Sequence, residues 1–488
     1  MLKRVLSALA SCVTALLILC LPGNTEYAQA AEKQCIDVDK LQVRIGPPTI
    51  VRGPAKDELD CRFNEIRLSQ GAYRGFSSNK VVYRIDGAAV SDMGGAREIA
   101  IGRNIAAAFG GCGFWLSGLE RAGNELLGFL HAEKDCSYRD RQTNKSVVLA
   151  KSNDNGKSWE IKGQIITGRD ETTSGKTTGE GDCSIIDGKD GFYYAYCLRA
   201  SDWRTIVARG PVDNPMPGQW KKYYESAWNE PGLGGRATSL GFIGTAAAEW
   251  ADRGAVIMLG TDKQFGGLKL SIACDKVAFR TLKESLIVLD GVDRHRPAPT
   301  ELVMCPSMLN VDDGSNQVGN SFFISHVYLQ PHEDFTKRYL VLRKVNISEG
   351  GHFGSQVGIA LSRWYNDEKK DRWTTTAPVP GNNKAYKFEA ALGYLMTTPE
   401  PSLTKRRLDE CVNEQDGHRD RILIDHAVGC GAFVMLRTAG WVYKDSQPNT
   451  LPLYGCYNDA AHQHFVSTRS DCEMLGRQER ILGYALKD

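Results

Sequence analysis

The chain has 488 residues, a formal net charge of +2 and 50 glycines. A charge this close to zero argues against nucleic acid or an anionic membrane surface as a partner. The glycine content is typical of a chain with many tight turns, and the length allows one large and one small domain.

The N-terminus has the three parts of a secretory signal peptide. A basic start is followed by a short apolar run over residues 5–21 and by the small residues Ala28 and Ala30. We expect residues 1–30 to be cleaved off and the mature protein to be a soluble, secreted or periplasmic monomer. A lipid anchor on Cys20 is the less favoured alternative. No later segment is apolar enough to span a bilayer.

Cysteine usage indicates disulfides rather than metal sites. An even number of cysteines remains after the signal peptide, the expected compartment is oxidising, and no Cys-x-x-Cys occurs. We expect neighbours along the chain to pair, so that each bridge closes a local hairpin or loop, as Cys183 and Cys197 would. No cofactor is expected, and a structural Ca²⁺ stays open because acid-rich turns are frequent.

Short strand-like runs separated by turn residues recur along the chain. Residues 146–150, 192–196 and 255–259 are rich in β-branched or aromatic residues and are bounded by turn signals. The segment 99–109 is the best helix-like exception, and it is short. This pattern predicts an all-β fold in the form of a sandwich, a barrel or a propeller.

One turn sequence is more specific than the others. Ser152, Asp154, Gly156 and Trp159 follow a predicted strand with the spacing Ser-x-Asp-x-Gly-x-x-Trp. In such a turn the Asp carboxylate accepts backbone N–H groups, the Gly supplies a positive φ, and the Trp packs over the hairpin base. We therefore predict a tightly folded hairpin here. The alternative is an ordinary hairpin that indicates no particular protein family.

This string resembles the Asp-box, a structural turn of sialidases and related propellers. Residues 126–342 are also similar in pattern to secreted five-bladed glycosidase propellers, in which the innermost strand of each blade points an acid, an Arg or an aromatic residue at a central funnel. The resemblance implies a β-propeller over residues 31–396, with five blades favoured and six as the alternative.

Glycoside hydrolysis requires two carboxyl groups, one on each side of the scissile bond. Glu230 stands between Trp228, a candidate sugar contact, and a Gly-rich loop. Asp182 opens the hairpin that ends at Cys197, and Glu301 begins an apolar strand. The alternatives are a plain turn for Glu230, a strand-capping role for Asp182 and a salt bridge of Glu301 with a nearby arginine.

Four further residues complete the candidate site. His131 and Glu133 share one face of a strand and could line the funnel together, with a solvated strand end as the alternative. Arg84 and Asp86 lie in Tyr-Arg-Ile-Asp, which resembles the Tyr-Arg-Ile-Pro that opens sialidase propellers. The resemblance implies that Arg84 binds a substrate carboxylate. Asp86 stands where those proteins have proline, and it is a candidate base for a non-sialidase glycosidase.

The C-terminal part differs in character from the rest. Residues 397–402 contain two prolines among small polar residues and are predicted to be a linker. Residues 403–488 hold four cysteines and many turn residues, so we expect a small β module stabilised by two disulfides.

These observations favour a secreted carbohydrate-active protein. The leading hypothesis is a glycoside hydrolase that uses paired carboxylates in the propeller funnel, with a glycan or polysaccharide as its partner. The alternatives are a glycan-binding propeller without catalysis, an envelope or adhesion protein, and an exo-sialidase.

Overall fold

The structure is a computed structural model of the chain, and the predicted signal peptide lies outside the residues it describes. Within those residues, none of the helices has the length and apolar character needed to cross a membrane. The described residues are 36–261, 267–288, 301–330, 333–334, 336–350, 356–379, 385–397, 404–413 and 419–487.

Five antiparallel sheets form the main body, and each is one blade of a propeller. Blade 1 contains Asn64–Ser69, Ala72–Ser78, Val82–Gly87 and Arg97–Ile101. Blade 2 contains Gly111–Ala122, Glu125–Ser137, Gln142–Ser152 and Glu160–Thr167. Blade 3 contains Thr177–Asp187, Phe192–Arg199, Arg204–Pro211, Lys221–Tyr224 and Ala227–Pro231. Blade 4 contains Gly244–Trp250, Ala255–Thr261, Gly267–Ala273, Arg280–Thr281 and Ile287–Val288, with Gln317–Val318 paired to its first strand. Blade 5 contains Leu302–Asn310, Ser321–Leu329, Tyr339–Glu349 and Leu41–Arg52.

The first-listed strand of each blade is its inner strand, and these five strands form a closed ring. Each inner strand contacts that of the next blade, and the inner strand of blade 5 contacts that of blade 1. The N-terminal strand Leu41–Arg52 closes the ring a second time because it pairs antiparallel with Tyr339–Glu349. The predicted β-propeller and its favoured count of five blades are confirmed.

The core lies between the faces of neighbouring blades. Phe129 and Leu149 of blade 2 pack with Ile185 and Tyr193 of blade 3 in one of these layers. Because a blade has a neighbour on both faces, successive residues of its middle strands are buried, as they are throughout 147–150. This packing explains why the strands read as continuous apolar runs rather than as alternating patterns.

The predicted helix-like segment is only partly helical. Residues Arg97–Ile101 form the last strand of blade 1, and the α-helix covers Arg103–Ala108. Strand pairing with Val82–Gly87 overrides the helical preference of the first residues. Short 3₁₀ helices lie at Val38–Lys40, Tyr138–Asp140 and Cys472–Met474.

The turn at 152–159 has the hydrogen bonds predicted for it. Asp154 Oδ1 accepts from the backbone N–H groups of Lys157 and Ser158 at 3.0 and 2.9 Å. Gly156 has a φ of +79°, and its carbonyl accepts from Trp159 Nε1 at 3.1 Å. The Trp159 ring packs edge-on against Phe76 of blade 1, so the turn also locks two blades together.

Replacing Asp154 with alanine is expected to lower the free energy of unfolding by about 1 kcal/mol at neutral pH, because two backbone N–H groups lose their acceptor. Although partial burial favours the protonated form, the bonds from Ser158, Ser152 and Lys157 lower the pKa of Asp154 to about 2. The difference between wild type and variant should therefore shrink as the pH falls from about 4 to 2. Urea unfolding at pH 7 and pH 2.5 measures this, and an equal difference at both pH values would contradict it.

Neighbouring cysteines pair in four of the five disulfides whose two partners both lie in the described residues. The four pairs are Cys112–Cys136, Cys183–Cys197, Cys411–Cys430 and Cys456–Cys472. The prediction is wrong for Cys61, which bonds to Cys305 across a sequence separation of 244. Ring closure is the reason, because it places the chain before blade 1 beside the inner strand of blade 5. Cys274 is also disulfide-bonded.

The C-terminal tail consists of three similar units, each with a long strand, a short strand and a second long strand. The units are Gln356–Asn366, Asp371–Thr375 and Tyr386–Met396; Lys405–Asn413, Asp420–Asp425 and Val434–Tyr443; and Thr450–Asn458, Gln463–Ser467 and Arg477–Leu486. The last strands of the three units pair with one another, which gives the tail an approximate threefold symmetry. Gly393, Gly440 and Gly483 take equivalent positions with positive φ, each followed by an aromatic residue.

The predicted tail disulfides Cys411–Cys430 and Cys456–Cys472 lie in the second and third units. The predicted linker at 397–402 lies outside the described residues except for Thr397, and the strands before and after it belong to the same threefold tail. We propose instead that the propeller ends after Glu349 and that the tail begins at Gln356.

Candidate functional site

A cavity of about 300 Å³ lies on the propeller axis. All five blades or the segments that lead into them contribute to its wall. Its lining residues are Asp60, Cys61, Arg62, Trp115, Ser117, His131, Glu133, Lys145, Asp182, Leu198, Trp203, Ile243, Thr261, Cys305 and Pro306.

The backbone around this cavity is strained. Cys61, Arg62, Asp182 and Cys305 all line it and have φ values between +50° and +59°. Non-glycine residues rarely adopt this conformation, which costs on the order of 1–3 kcal/mol for each residue and is concentrated at functional sites. The inner strands of blades 3 and 5 carry β-bulges at Asp182 and Cys305, which turn these residues toward the axis.

Asp182 forms the closest ion pair of the cavity. Its Oδ2 lies 2.5 Å from Lys145 Nζ, and 30% of its side chain is exposed. Burial favours the neutral acid, but the neighbouring positive charges, above all that of Lys145, outweigh this effect, so the pKa of Asp182 lies well below its ordinary value. The carboxyl group of Asp182 is therefore ionised at neutral pH in the unliganded protein.

A chain of hydrogen bonds holds the left-handed backbone of Asp182. Its N–H donates to His131 Nδ1 at 3.0 Å, so we assign the ring proton of a neutral His131 to Nε2. His131 Nε2 lies 3.3 Å from Glu133 Oε1, and the Tyr138 hydroxyl donates to Glu133 Oε2 at 2.8 Å. Burial raises the pKa of Glu133, whereas His131 and Tyr138 lower it, and the net effect is a decrease. His131 thus positions Asp182 through a direct hydrogen bond, and Glu133 positions His131.

Asp60 supplies a second carboxylate from the segment before blade 1. Trp115 Nε1 donates to its Oδ2 at 3.2 Å, and Arg338 Nη1 donates to its Oδ1 at 3.1 Å. The side chain of Asp60 lines the cavity and is 40% exposed, so it remains partly accessible. Two donors from different elements therefore fix its orientation.

Two tryptophans form the aromatic part of the wall. Trp115 packs edge-on against His131. Trp203 is 38% exposed, and Lys145 Nζ lies 5.0 Å from the centre of its ring. Flat aromatic surfaces beside carboxylates and cations suit a ligand with an apolar face and many hydroxyl groups, as a sugar ring has.

Three of the sequence candidates meet in this cavity, namely Asp182, Glu133 and His131. Glu230 lies instead in the outermost strand of blade 3, where Arg236 binds both its oxygens. Trp228 shares that strand and packs edge-on against Tyr194. The prediction that Glu230 and Trp228 face the funnel is wrong, because outer strands of a propeller are far from its axis.

Glu301 and the Tyr-Arg-Ile-Asp segment also lie outside the cavity. Glu301 accepts from the Tyr328 hydroxyl and forms a close pair with Arg437 of the tail. Asp86 is in the third strand of blade 1 and receives two bonds from Arg74, at 2.6 and 2.7 Å. Arg84 pairs with Glu98 of the fourth strand. Neither the catalytic role predicted for Glu301 and Asp86 nor the substrate contact predicted for Arg84 agrees with these positions.

Sequence reasoning missed Asp60, Arg62, Lys145 and the two tryptophans. Asp60 and Asp182 each directly precede a disulfide-bonded cysteine, which is the one local feature they share. Lys145 comes just before the apolar stretch 147–150 of its strand and is buried, and a buried cation indicates a charged partner. In the described part of the chain, no group of three or more His, Cys, Asp or Glu side chains is placed to hold a metal ion. A structural Ca²⁺ stays a prediction.

Glu65, on the inner strand of blade 1, lines a smaller cavity on the same axis. It is 3% exposed, and neither carboxyl oxygen has a hydrogen-bond partner. Burial, with a smaller effect from Asp313, raises its pKa to about 9. Glu65 is therefore protonated in the folded protein at neutral pH.

Replacing Glu65 with glutamine is expected to flatten the pH dependence of stability. An acid with a raised folded pKa stabilises the fold below about pH 4.5, and that contribution is lost as the pH rises toward 9. Between pH 5 and 8 the loss due to Glu65 is up to about 4 kcal/mol. Urea unfolding of wild type and Glu65→Gln at both pH values measures it, with Glu230→Gln as the exposed control. If the free energy of unfolding changes equally between pH 5 and pH 8 in wild type and in Glu65→Gln, the assignment of a protonated Glu65 is contradicted.

No protein-family model matches the chain, and no curated protein matches its sequence. Solved structures do match it. The chain is similar to a thermostable family-43 glycoside hydrolase at 13% identity, with 70% of this chain and 96% of the other covered and a TM-score of 0.39. It is also similar to Zg3597, a family 117 glycoside hydrolase of the marine bacterium Zobellia galactanivorans, at 11% identity, with 64% and 92% covered and a TM-score of 0.43. A third match is the α-L-arabinanase of Cellvibrio cellulosa, at 12% identity, with 65% and 95% covered and a TM-score of 0.35. The resemblance to Asp-box propellers and sialidases stays a prediction.

Proposed function

We propose that the protein is a carbohydrate-active protein that binds a glycan in the axial cavity and hydrolyses a glycosidic bond there. One observation carries the proposal: two carboxylates from distant parts of the chain, Asp60 before blade 1 and Asp182 in blade 3, line one strained cavity that also contains Trp115 and Trp203. Glycoside hydrolysis requires two carboxyl groups, one on each side of the scissile bond.

The surroundings of the two carboxylates support different roles. Asp60 is held by Trp115 and Arg338 and remains partly accessible, which suits the group that attacks the sugar or activates water. Asp182 has the adaptable position, since a bound sugar that separates it from Lys145 would remove one of the interactions that keep it ionised. In the complex Asp182 would then hold the proton that the leaving oxygen needs.

Binding without catalysis is the second candidate function, and a specific observation favours it. In the unliganded protein Asp182 is paired with Lys145, and the pKa values of Asp182 and Glu133 both lie below their ordinary values. A general acid is normally kept protonated by its environment. A cavity with both of these carboxylates ionised is suited to accepting hydrogen bonds from sugar hydroxyl groups.

A panel of chromogenic glycosides and a glycan array, both used on the purified mature protein, tests the two functions together. Release of the chromophore, absent in Asp60→Asn, supports hydrolysis. Array binding that is lost in Trp203→Ala, with no release from any glycoside, supports the second candidate. Neither release nor binding would overturn both.

A further inference from the structure

Arg62 is a buried cation of the cavity that forms no ion pair with any carboxylate of the described residues. It is 8% exposed and lines the wall beside Asp182. Its single hydrogen bond runs from Nη2 to the backbone carbonyl of Asp182, at 3.3 Å. No carboxylate of the described residues lies within ion-pairing distance of its guanidinium group, so most of its five N–H donors are unused.

The other buried arginines show how unusual this is. Arg74, Arg338, Arg363 and Arg421 each pair with at least one carboxylate. Arg343 lacks one but donates to two backbone carbonyls. Desolvation, opposed in part by attraction to Asp182, lowers the pKa of Arg62 to about 10, so its charge persists at neutral pH although the group is buried. A buried charge of this kind is costly unless something compensates it.

The carboxylates of the cavity already have their own donors. Asp182 is matched by Lys145, and Asp60 is matched by Arg338. Glu133 accepts from Tyr138 and interacts with His131. The unused donor capacity of the wall is therefore mainly that of Arg62, together with the two remaining N–H groups of Lys145.

We propose that Arg62 binds an acidic group of the sugar, so that the ligand of the cavity is an anionic glycan, carrying either a carboxylate or a sulfate ester. The planar fork of a guanidinium group matches two oxygens of such a group at once. The left-handed backbone of Arg62 places the fork beside Asp182, so the acidic group would lie next to the reacting bond. This inference rests on the proposed function and adds the substrate class to it.

Calorimetric titration of the mature protein with three sets of oligosaccharides tests the inference: neutral, uronate-containing and sulfated chains of equal length. Wild type is expected to bind one anionic set at least tenfold more tightly than the neutral set. Arg62→Gln should lose this tenfold preference and keep its affinity for the neutral set within twofold, whereas Arg62→Lys should keep part of the preference. Arg84→Gln, which removes a partly buried arginine of blade 1 outside the cavity, is the matched control and should behave as wild type.

The uronate and sulfate arms identify which acidic group is bound. Equal affinity of wild type for neutral and anionic chains would overturn the anionic preference and leave the proposed function standing, whereas no binding of any set would overturn the proposed function itself. If Arg62→Gln does not fold, the preference of wild type for anionic over neutral chains decides whether the ligand is an anionic glycan. A preference that persists in folded Arg62→Gln would overturn the role of Arg62.

Discussion

Replacing Asp182 with asparagine is expected to lower kcat/KM for the best glycoside by about 10² to 10⁴-fold, the range that general acid–base groups contribute. The amide cannot supply a proton to the leaving oxygen. It keeps the size of the side chain, and the backbone N–H bond to His131 is retained. Sugar affinity should therefore change by less than the rate does. Steady-state kinetics and direct binding of a non-hydrolysed analogue measure the two effects separately.

Glu230→Gln is the matched control because it makes the same acid-to-amide change outside the cavity. Its carboxylate binds Arg236 at the outer edge of blade 3. We expect its kcat/KM to stay within twofold of wild type. A large loss in Glu230→Gln with normal turnover in Asp182→Asn would contradict the placement of the site on the axis.

Removing the Cys61–Cys305 bridge is expected to have the largest effect on stability. The bridge closes a loop with a sequence separation of 244, for which the chain-entropy model gives about 5.5 kcal/mol. It also fixes two lining residues of the cavity. The double variant Cys61→Ala/Cys305→Ala should therefore unfold at a lower urea concentration and bind glycans more weakly.

The Cys183→Ala/Cys197→Ala variant is the comparison. Its bridge spans a separation of 14 and connects two neighbouring strands of blade 3, for which the same model gives about 3 kcal/mol. Equilibrium urea unfolding of both double variants ranks the two effects. A greater loss of stability on removal of the short bridge would contradict the view that the long bridge holds the ring closed.

Local features of the fold could be predicted from the sequence because neighbouring residues determine them. The turn at 152–159 needs a hydrogen-bond acceptor at Asp154 and a positive φ at Gly156, and both residue types can be identified directly in the sequence. The same holds for the bridge between Cys183 and Cys197, which closes one hairpin. His131 and Glu133 were predicted together because alternate residues of a strand share one face.

The threefold tail was also within reach of the sequence. Gly393, Gly440 and Gly483 recur at intervals of about 45 residues, each before an aromatic residue. Asn366, Asn413 and Asn458 end the first strands of the three units at a similar interval. This period is the sign of an internal repeat. The cysteines indicate only the last two units, because the first unit contains none.

The strands, their turns and the short disulfides of this protein follow from the sequence by itself, since each depends on residues that are close along the chain. The site depends on ring closure, which brings Asp60 and Arg62 beside Cys305 and beside Asp182 of blade 3. In the same ring, Glu230 and Arg84 lie in strands away from the axis, although their local sequences resembled those of a sugar-binding site. Distance from the axis is a property of the closed ring, so only the tertiary structure decided which charged residues meet.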